Sequence, residues 1–400
     1  PPHRRKSRSR SAPASAGRYY NPVQSFEGPG CTAELTTLLQ KMELKEGRLL
    51  LLVWSEKVLK LPAFAGLADN GFTICSMVFQ ASNPTVSQLF ETYQATREFR
   101  PEVVVAVGGG STMDVGKSLC CLYGKDLPDE DSLRRLIAEK NYGRPAARWI
   151  GVPTTAGTGS EVTCWATIWD PEQDAKRSVE CHENYAWAAL VDPELAVGMP
   201  TALAVSSALD AVAHAVESYW ARGTNAVSRG LALEAIRTIM GHMDGLLAGT
   251  MEAHDAMARG SMLAGLAFSN TKTTACHSIS YPLTMHCGIP HGAAVSMLLG
   301  PVFRLNAPAL DRPAPLLEAL GVSGADELEG RIRNILYRSG QPATLQEWGA
   351  QREDLPHLAQ LGMTKGRADN NPLPIDPATI LSILEHIYSS ESYNLTQKGA

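Results

Sequence analysis

An α/β amino-terminal domain built on a parallel sheet, followed by an all-helical carboxy-terminal domain, is the fold class this sequence predicts. Three observations carry that expectation. Between about Arg48 and Leu195, short apolar runs alternate with longer helical patterns. The runs are almost continuously apolar, which suits strands covered on both faces. After Pro200-Thr201 the texture changes to long stretches rich in Ala, Leu and Met with few strand candidates. The strand candidates are Arg48–Trp54, Phe72–Phe79, Val103–Val107, Trp149–Val152 and Ala188–Val191. The boundary is expected between Asp192 and Pro200, giving domains over 19–196 and 197–400.

The chain of 400 residues is 44% hydrophobic and 19% charged, enough to bury a large core. Disordered, collagen-like and disulfide-scaffold classes are excluded. No apolar run approaches the roughly 20 residues of a membrane span. A net charge of -5 gives no global basic surface for nucleic acid. Eight cysteines without regular spacing read as reduced thiols of a cytoplasmic protein. Residues 1–18 differ from the rest: Arg4, Arg5, Lys6, Arg8, Arg10 and Arg18 lie among Pro, Ser and Ala, the pattern of a disordered basic arm without the apolar core of a secretory signal.

The Val103–Val107 run leads into Gly108-Gly109-Gly110-Ser111, then Asp114 and Lys117, a strand, a glycine turn and a helix start. Glycines let backbone N–H groups close on a phosphate, and a helix N-terminus adds partial positive charge. Ser111 and Asp114 have the spacing of a capping box. A capped turn without ligand is the competing reading. A second hydroxyl- and glycine-rich loop, Pro153-Thr154-Thr155-Ala-Gly157-Thr158-Gly159-Ser160-Glu161-Val-Thr163, follows the next strand candidate. Two such loops at one sheet edge favour a nucleotide site.

In the helical half, Asp210 and His214 stand at i and i+4 on one apolar helix face. Taken alone, a hydrogen-bonded Asp–His pair inside a core is the commoner explanation for them. His277, and His291 between Pro290 and Gly292, add two imidazoles at special backbone positions. One carboxylate with three imidazoles suits Fe²⁺ or Zn²⁺ and argues against Mg²⁺ or Ca²⁺. His286 is the neighbouring histidine left outside the set.

Together these motifs, with Asp-Pro-Glu-Leu at Asp192 and the Asn370-Asn-Pro-Leu-Pro stretch, resemble the iron-containing (group III) alcohol dehydrogenase family from about Cys31 to the last helix. The resemblance implies a Rossmann-like cofactor domain and a helical metal domain, the fold shared with dehydroquinate synthase. It implies a metal held by Asp210, His214, His277 and His291. Gly108, Gly109, Gly110, Ser111 and Asp114 would form the pyrophosphate turn, and Thr154, Thr155, Thr158, Thr163 and Lys176 would meet the nicotinamide and ribose side. Asn83 would lie near the adenine. It further implies homodimers and a small aldehyde or alcohol substrate.

Two departures shape the expectations. The acid that many NAD-preferring members carry after the first strand falls here on Ser55, with Lys57 nearby, which favours NADPH over NADH. A family histidine four residues after the third ligand is here Tyr281, which can donate a proton but does not titrate near neutrality. Asn270-Thr271-Lys272-Thr273-Thr274 just before His277 has an anion-binding composition, with Lys272 at its centre and Arg367 and His286 as further candidates. These features resemble the phosphonoacetaldehyde reductase branch, which makes 2-hydroxyethylphosphonate in phosphonate biosynthesis. A reductase of another small aldehyde, or a 3-dehydroquinate synthase-like lyase, is the alternative.

Overall fold

The computed structural model describes residues 17–389. Most of the predicted basic arm, residues 1–16, lies outside the described residues. In chain order the strands are β1 (Gln24–Glu27), β2 (Arg48–Val53), β3 (Thr73–Val78), β4 (Val103–Gly108), β5 (Arg148–Pro153), β6 (Trp165–Asp170), β7 (Ala175–Glu180) and β8 (Ala188–Val191). Six form one parallel sheet in the order β1-β8-β5-β4-β2-β3. All five predicted runs are present in it. Residues of β2, β4, β5 and β8 are buried almost throughout, with separate apolar clusters on the two faces of the sheet. That double burial is why these strands carry continuous Leu, Val and Ile rather than an alternating pattern.

Strand order reverses at β2, which pairs with β3 on one side and β4 on the other. Crossovers leave this point in opposite directions, so their loops diverge and open a crevice at the carboxyl ends of β2 and β4. The helix α1 (Gly110–Leu122) starts in that crevice. It lies close on the sheet, since a Cβ on Gly116 would come within 2.9 Å of Ala106 Cβ.

Three strands went unpredicted from sequence: the edge strand β1, and the pair β6 and β7. The antiparallel β6–β7 hairpin turns through Pro171–Gln173 and stands outside the main sheet, joined to it by the Trp169 N–H donating to Pro84 O at 2.8 Å. At its turn the Asp170 carboxylate receives Arg134 (3.0 Å) and Arg177 (2.6 Å).

From Thr201 onward the described chain is helical. The principal helices are α2 (Thr201–Trp220), α3 (Ala226–Gly241), α4 (Met251–Phe268), α5 (Ala275–Cys287) and α6 (His291–Met297). They share one large apolar cluster in which α2 is buried on all sides from Ala208 to Trp220. Residues 19–21 pack on this helical half: Tyr20 N–H donates to Asn270 Oδ1 at 2.8 Å and Asn21 Nδ2 to Ser269 Oγ at 3.2 Å. The chain therefore touches the helical layer before entering the sheet at β1. No helix among the described residues is long and apolar enough to cross a membrane.

Candidate active site

The sheet's carboxyl edge and the helical layer enclose a cleft of about 1150 Å³. Its sheet side is made by the residues after each strand: Trp54, Asn83, Gly109–Ser111, Thr154 and Thr155. The two glycine-rich loops interlock there. A Cβ on Gly110 would meet Thr158 Cγ2 at 2.6 Å, and one on Gly109 would meet Thr155 Oγ1 at 3.4 Å, so backbone rather than side chain faces the cavity at these points.

The expected capping box is absent. Gly109 is the N-cap, without a side-chain bond, because the glycine run lets the helix begin before Ser111. Ser111 Oγ instead accepts the Asn83 N–H at 3.2 Å, tying the β3 loop to the β4 loop. Asp114 accepts from Ser160 Oγ (2.8 Å) and the Thr167 N–H (2.9 Å). Lys117, wholly buried, donates to Ser160 O, Ser160 Oγ, Thr163 Oγ1 and Trp165 O at 2.8–3.0 Å. Asp114 and Lys117 thus lock α1 to the Gly157–Trp165 loop, and the Thr163 hydroxyl is engaged in that lock. On the β2 side Trp54 lines the cleft; Ser55 follows it, its Oγ accepting the Lys57 N–H at 3.3 Å.

On the helical side, Asp210, His277 and His291 bring one ligand atom each to within 4.8 Å of one another. His214 stands beside them, stacked on His277 at 4.4 Å and on Phe268 at 4.3 Å between ring centroids. His214 Nδ1 faces Gly157 O at 3.2 Å, and donation there leaves Nε2 as the lone-pair nitrogen. Burial lowers His214 to about 4 and His291 to about 3, so both imidazoles are neutral near pH 7. Burial would raise Asp210, but His214, His291 and His277 outweigh it and hold the carboxyl well below its usual range. An ionised carboxylate beside the neutral His214 and His291 suits a divalent transition metal. Burial would lower His277, but Glu217 and Asp210 outweigh it and hold it above its usual value, so its Nε2 proton must leave for it to join them.

Glu217, one turn beyond His214 on α2, was not singled out from the sequence as a site residue. Fully buried, it accepts from His277 Nδ1, from Thr274 Oγ1 at 2.8 Å and from the Cys276 N–H at 2.6 Å. It holds the His277 ring with Nε2 turned toward Asp210 Oδ1, 3.3 Å away. Its i+7 spacing from Asp210 was the available signal.

Tyr281 is buried against His291, ring centroids 5.9 Å apart and nearly parallel. Burial pushes its phenol up to about 12, opposed by Arg367. Lys176 Nζ lies 3.0 Å from the Tyr281 ring centroid and Arg367 Cζ 5.0 Å from it. Lys272, in a left-handed conformation with φ 58°, is paired with Glu180 at 2.7 Å, and Glu180 also takes Lys140 at 3.0 Å. The predicted anion-binding lysine therefore already has a carboxylate, supplied by β7. His286 falls outside the cleft: five residues past Tyr281, at about 100° per residue, it points elsewhere on the helix, exposed and 6.1 Å from the His357 ring.

Residues 22–193 match the model of the iron-containing alcohol dehydrogenase, and residues 204–388 that of the Fe-containing alcohol dehydrogenase family, C-terminal. The phosphonoacetaldehyde reductase of Streptomyces viridochromogenes is 32% identical over 311 residues, 72% of this chain and 76% of that protein. The lactaldehyde reductase of Escherichia coli is 30% identical over 312 residues, 76% of this chain and 80% of that protein. Among solved structures, sulfoacetaldehyde reductase from Bifidobacterium kashiwanohense in complex with NAD+ aligns with a TM-score of 0.82 at 25% identity, covering 94% of this chain and all of that one.

Proposed function

The chain belongs to the iron-containing alcohol dehydrogenase family, and from that premise we propose that it reduces phosphonoacetaldehyde to 2-hydroxyethylphosphonate, with NADPH in preference to NADH and with Fe²⁺ in preference to Zn²⁺. The observation that carries the reading is the convergence of Asp210, His277 and His291 on the wall of the same cleft that the two glycine-rich loops enter.

Asp210, His214, His277 and His291 hold the metal, and Glu217 fixes the His277 ring by accepting its Nδ1 proton bond. When bound, the metal polarises the substrate carbonyl and the nicotinamide supplies the hydride. Gly109, Gly110 and Ser111 cradle the pyrophosphate with backbone N–H groups at the start of α1. Thr154, Thr155 and Thr158 line the nicotinamide end, while Asp114 and Lys117 keep that loop closed on α1. The Tyr281 hydroxyl, protonated throughout the neutral range, supplies the proton that completes the alcohol.

Eight free cysteines support a reducing, cytoplasmic setting, and the open outer edge of β3 supports assembly into a homodimer. Metal analysis of the purified protein, with NADPH and NADH consumption on phosphonoacetaldehyde and on propanal, tests the reading. Bound iron and turnover of phosphonoacetaldehyde are expected; a metal-free protein that oxidises neither cofactor overturns it.

A further inference from the structure

The cleft holds two basic side chains that stand outside its ion pairs. Lys272 and Lys140 share Glu180, but Lys176 and Arg367 have no salt-bridge partner among the described residues. Both nevertheless sit against the single ring of Tyr281. Burial, with Arg367 beside it, holds Lys176 well below its usual range, and an anion joining the two side chains would favour the charged ammonium again. Arg367 donates its Nε–H to Thr273 Oγ1 at 3.2 Å, which fixes the plane of the guanidinium and leaves its terminal nitrogens as an open fork. Thr284 Oγ1, one turn past Tyr281 on α5, lines the same cleft and is buried with no hydrogen-bond partner. The glycine turns that suit a pyrophosphate lie on the opposite, sheet side of the cleft. Tyr281 in turn stacks on His291, so one aromatic ring separates this basic pair from the metal-ligand set.

We propose that Arg367, together with Lys176 and the Thr273 and Thr284 hydroxyls, receives an oxyanion carried by the substrate, so that Arg367 selects short aldehydes bearing a phosphonate or sulfonate. The inference rests on the aldehyde-reductase reading and specifies its substrate class. An anion of this kind offsets the desolvation of Lys176 and its repulsion by Arg367, and the guanidinium fork matches two of its oxygens. A neutral aldehyde leaves the Arg367 guanidinium without a counter-charge and is disfavoured on that account.

Ethylphosphonate and ethanesulfonate, which cannot be reduced, serve as probes. Their binding is read by quenching of tryptophan fluorescence, since Trp165 and Trp169 line the cleft. The wild-type protein is expected to bind ethylphosphonate, and Arg367→Gln to weaken that binding on the order of a hundredfold. Arg367→Lys, which keeps the charge but not the fork, is expected to fall between. In turnover, the ratio of kcat/KM for phosphonoacetaldehyde to that for propanal is expected to drop by a similar factor in Arg367→Gln, mainly through KM. Tighter binding of ethanesulfonate than of ethylphosphonate would assign the site to sulfonates within the same proposal. Equal ethylphosphonate affinity in wild type, Arg367→Gln and Arg367→Lys overturns it. A wild-type protein that reduces propanal but does not bind either probe also overturns it while leaving the dehydrogenase reading intact. Probe binding that depends on Arg367 without reduction of any aldehyde overturns the dehydrogenase reading instead.

Discussion

The Glu217 carboxylate accepts a hydrogen bond from Nδ1 of His277, sixty residues away in sequence and fully buried with it. Burial would raise Glu217, but His277 and Thr274 together keep it ionised. The same oxygen set also takes the Thr274 hydroxyl and the Cys276 N–H, so one carboxylate fixes both the start of α5 and the orientation of its histidine.

Glu217→Gln keeps the shape but loses the charge and one acceptor. Metal affinity is expected to fall by about 10- to 100-fold, the usual cost of removing a partner behind a ligand. Competition with a chelator, followed by metal analysis, measures it. Unchanged metal retention would show that His277 is oriented by packing alone.

Gly292 allows α6 to begin where it places His291. A Cβ there would overlap the Ser206 carbonyl oxygen on α2, a backbone atom that cannot swing aside. Gly292→Ala is expected to destabilise the fold by about 1–3 kcal/mol, as overpacking does. Metal content should fall with it, since the helix start must move. A melting curve and metal content matching the wild type would refute the close approach.

These two contacts mark where the sequence stopped being readable. β2, β4, β5 and β8 were legible because burial on both faces leaves unbroken apolar runs. β6 and β7 were not: Trp165–Glu180 mixes Trp and Ile with Lys, Arg and Asp because the hairpin is held by its polar anchors at Pro84 and Arg134 as much as by a core. Asp210, His214, His277 and His291 were visible through residue type, since an acid and imidazoles in apolar helices need a reason. Glu217 lies in the same helix pattern, yet its partner is set by how α2 meets α5. Lys272 looked like an anion site in a run of threonines because nothing local reveals Glu180, 92 positions earlier. The capping-box reading of Ser111 and Asp114 failed by two residues, because the glycine run starts the helix at Gly110 and the two side chains bond loops that arrive after β3 and β5.

Asp170 offers a pH test away from the site. Its side chain is inaccessible; burial alone would raise it, but Arg134 and Arg177 hold it below its usual value. With the folded value lower than the unfolded one, its stabilisation is fully present above about pH 4 and is lost as pH falls through the folded value. Asp170→Asn is expected to cost about 3–5 kcal/mol, the range for breaking a buried pair. The difference in stability between variant and wild type should shrink as acid is added. A difference independent of pH would mean that the ionised carboxylate is not what holds the hairpin.

Ser55 is the position at which the last expectation, the proposed preference for NADPH, is tested. It follows β2 at the reversal of strand order, directly after the cleft-lining Trp54, at the position where the family resemblance expects the acid that bonds the adenosine ribose. With serine there and Lys57 two residues on, a 2′-phosphate meets no negative charge from that position. Ser55→Asp restores the charge, and like-charge repulsion of about 1.4 kcal/mol at an accessible site corresponds to about a tenfold change in rate ratio. The ratio of kcat/KM for NADPH to that for NADH is therefore expected to fall by at least that factor, chiefly through the KM for NADPH. The measurement needs only both cofactors and one aldehyde. If the ratio stays constant, the ribose is read from elsewhere on the cleft wall, and Glu56, the next residue along, is the position to change.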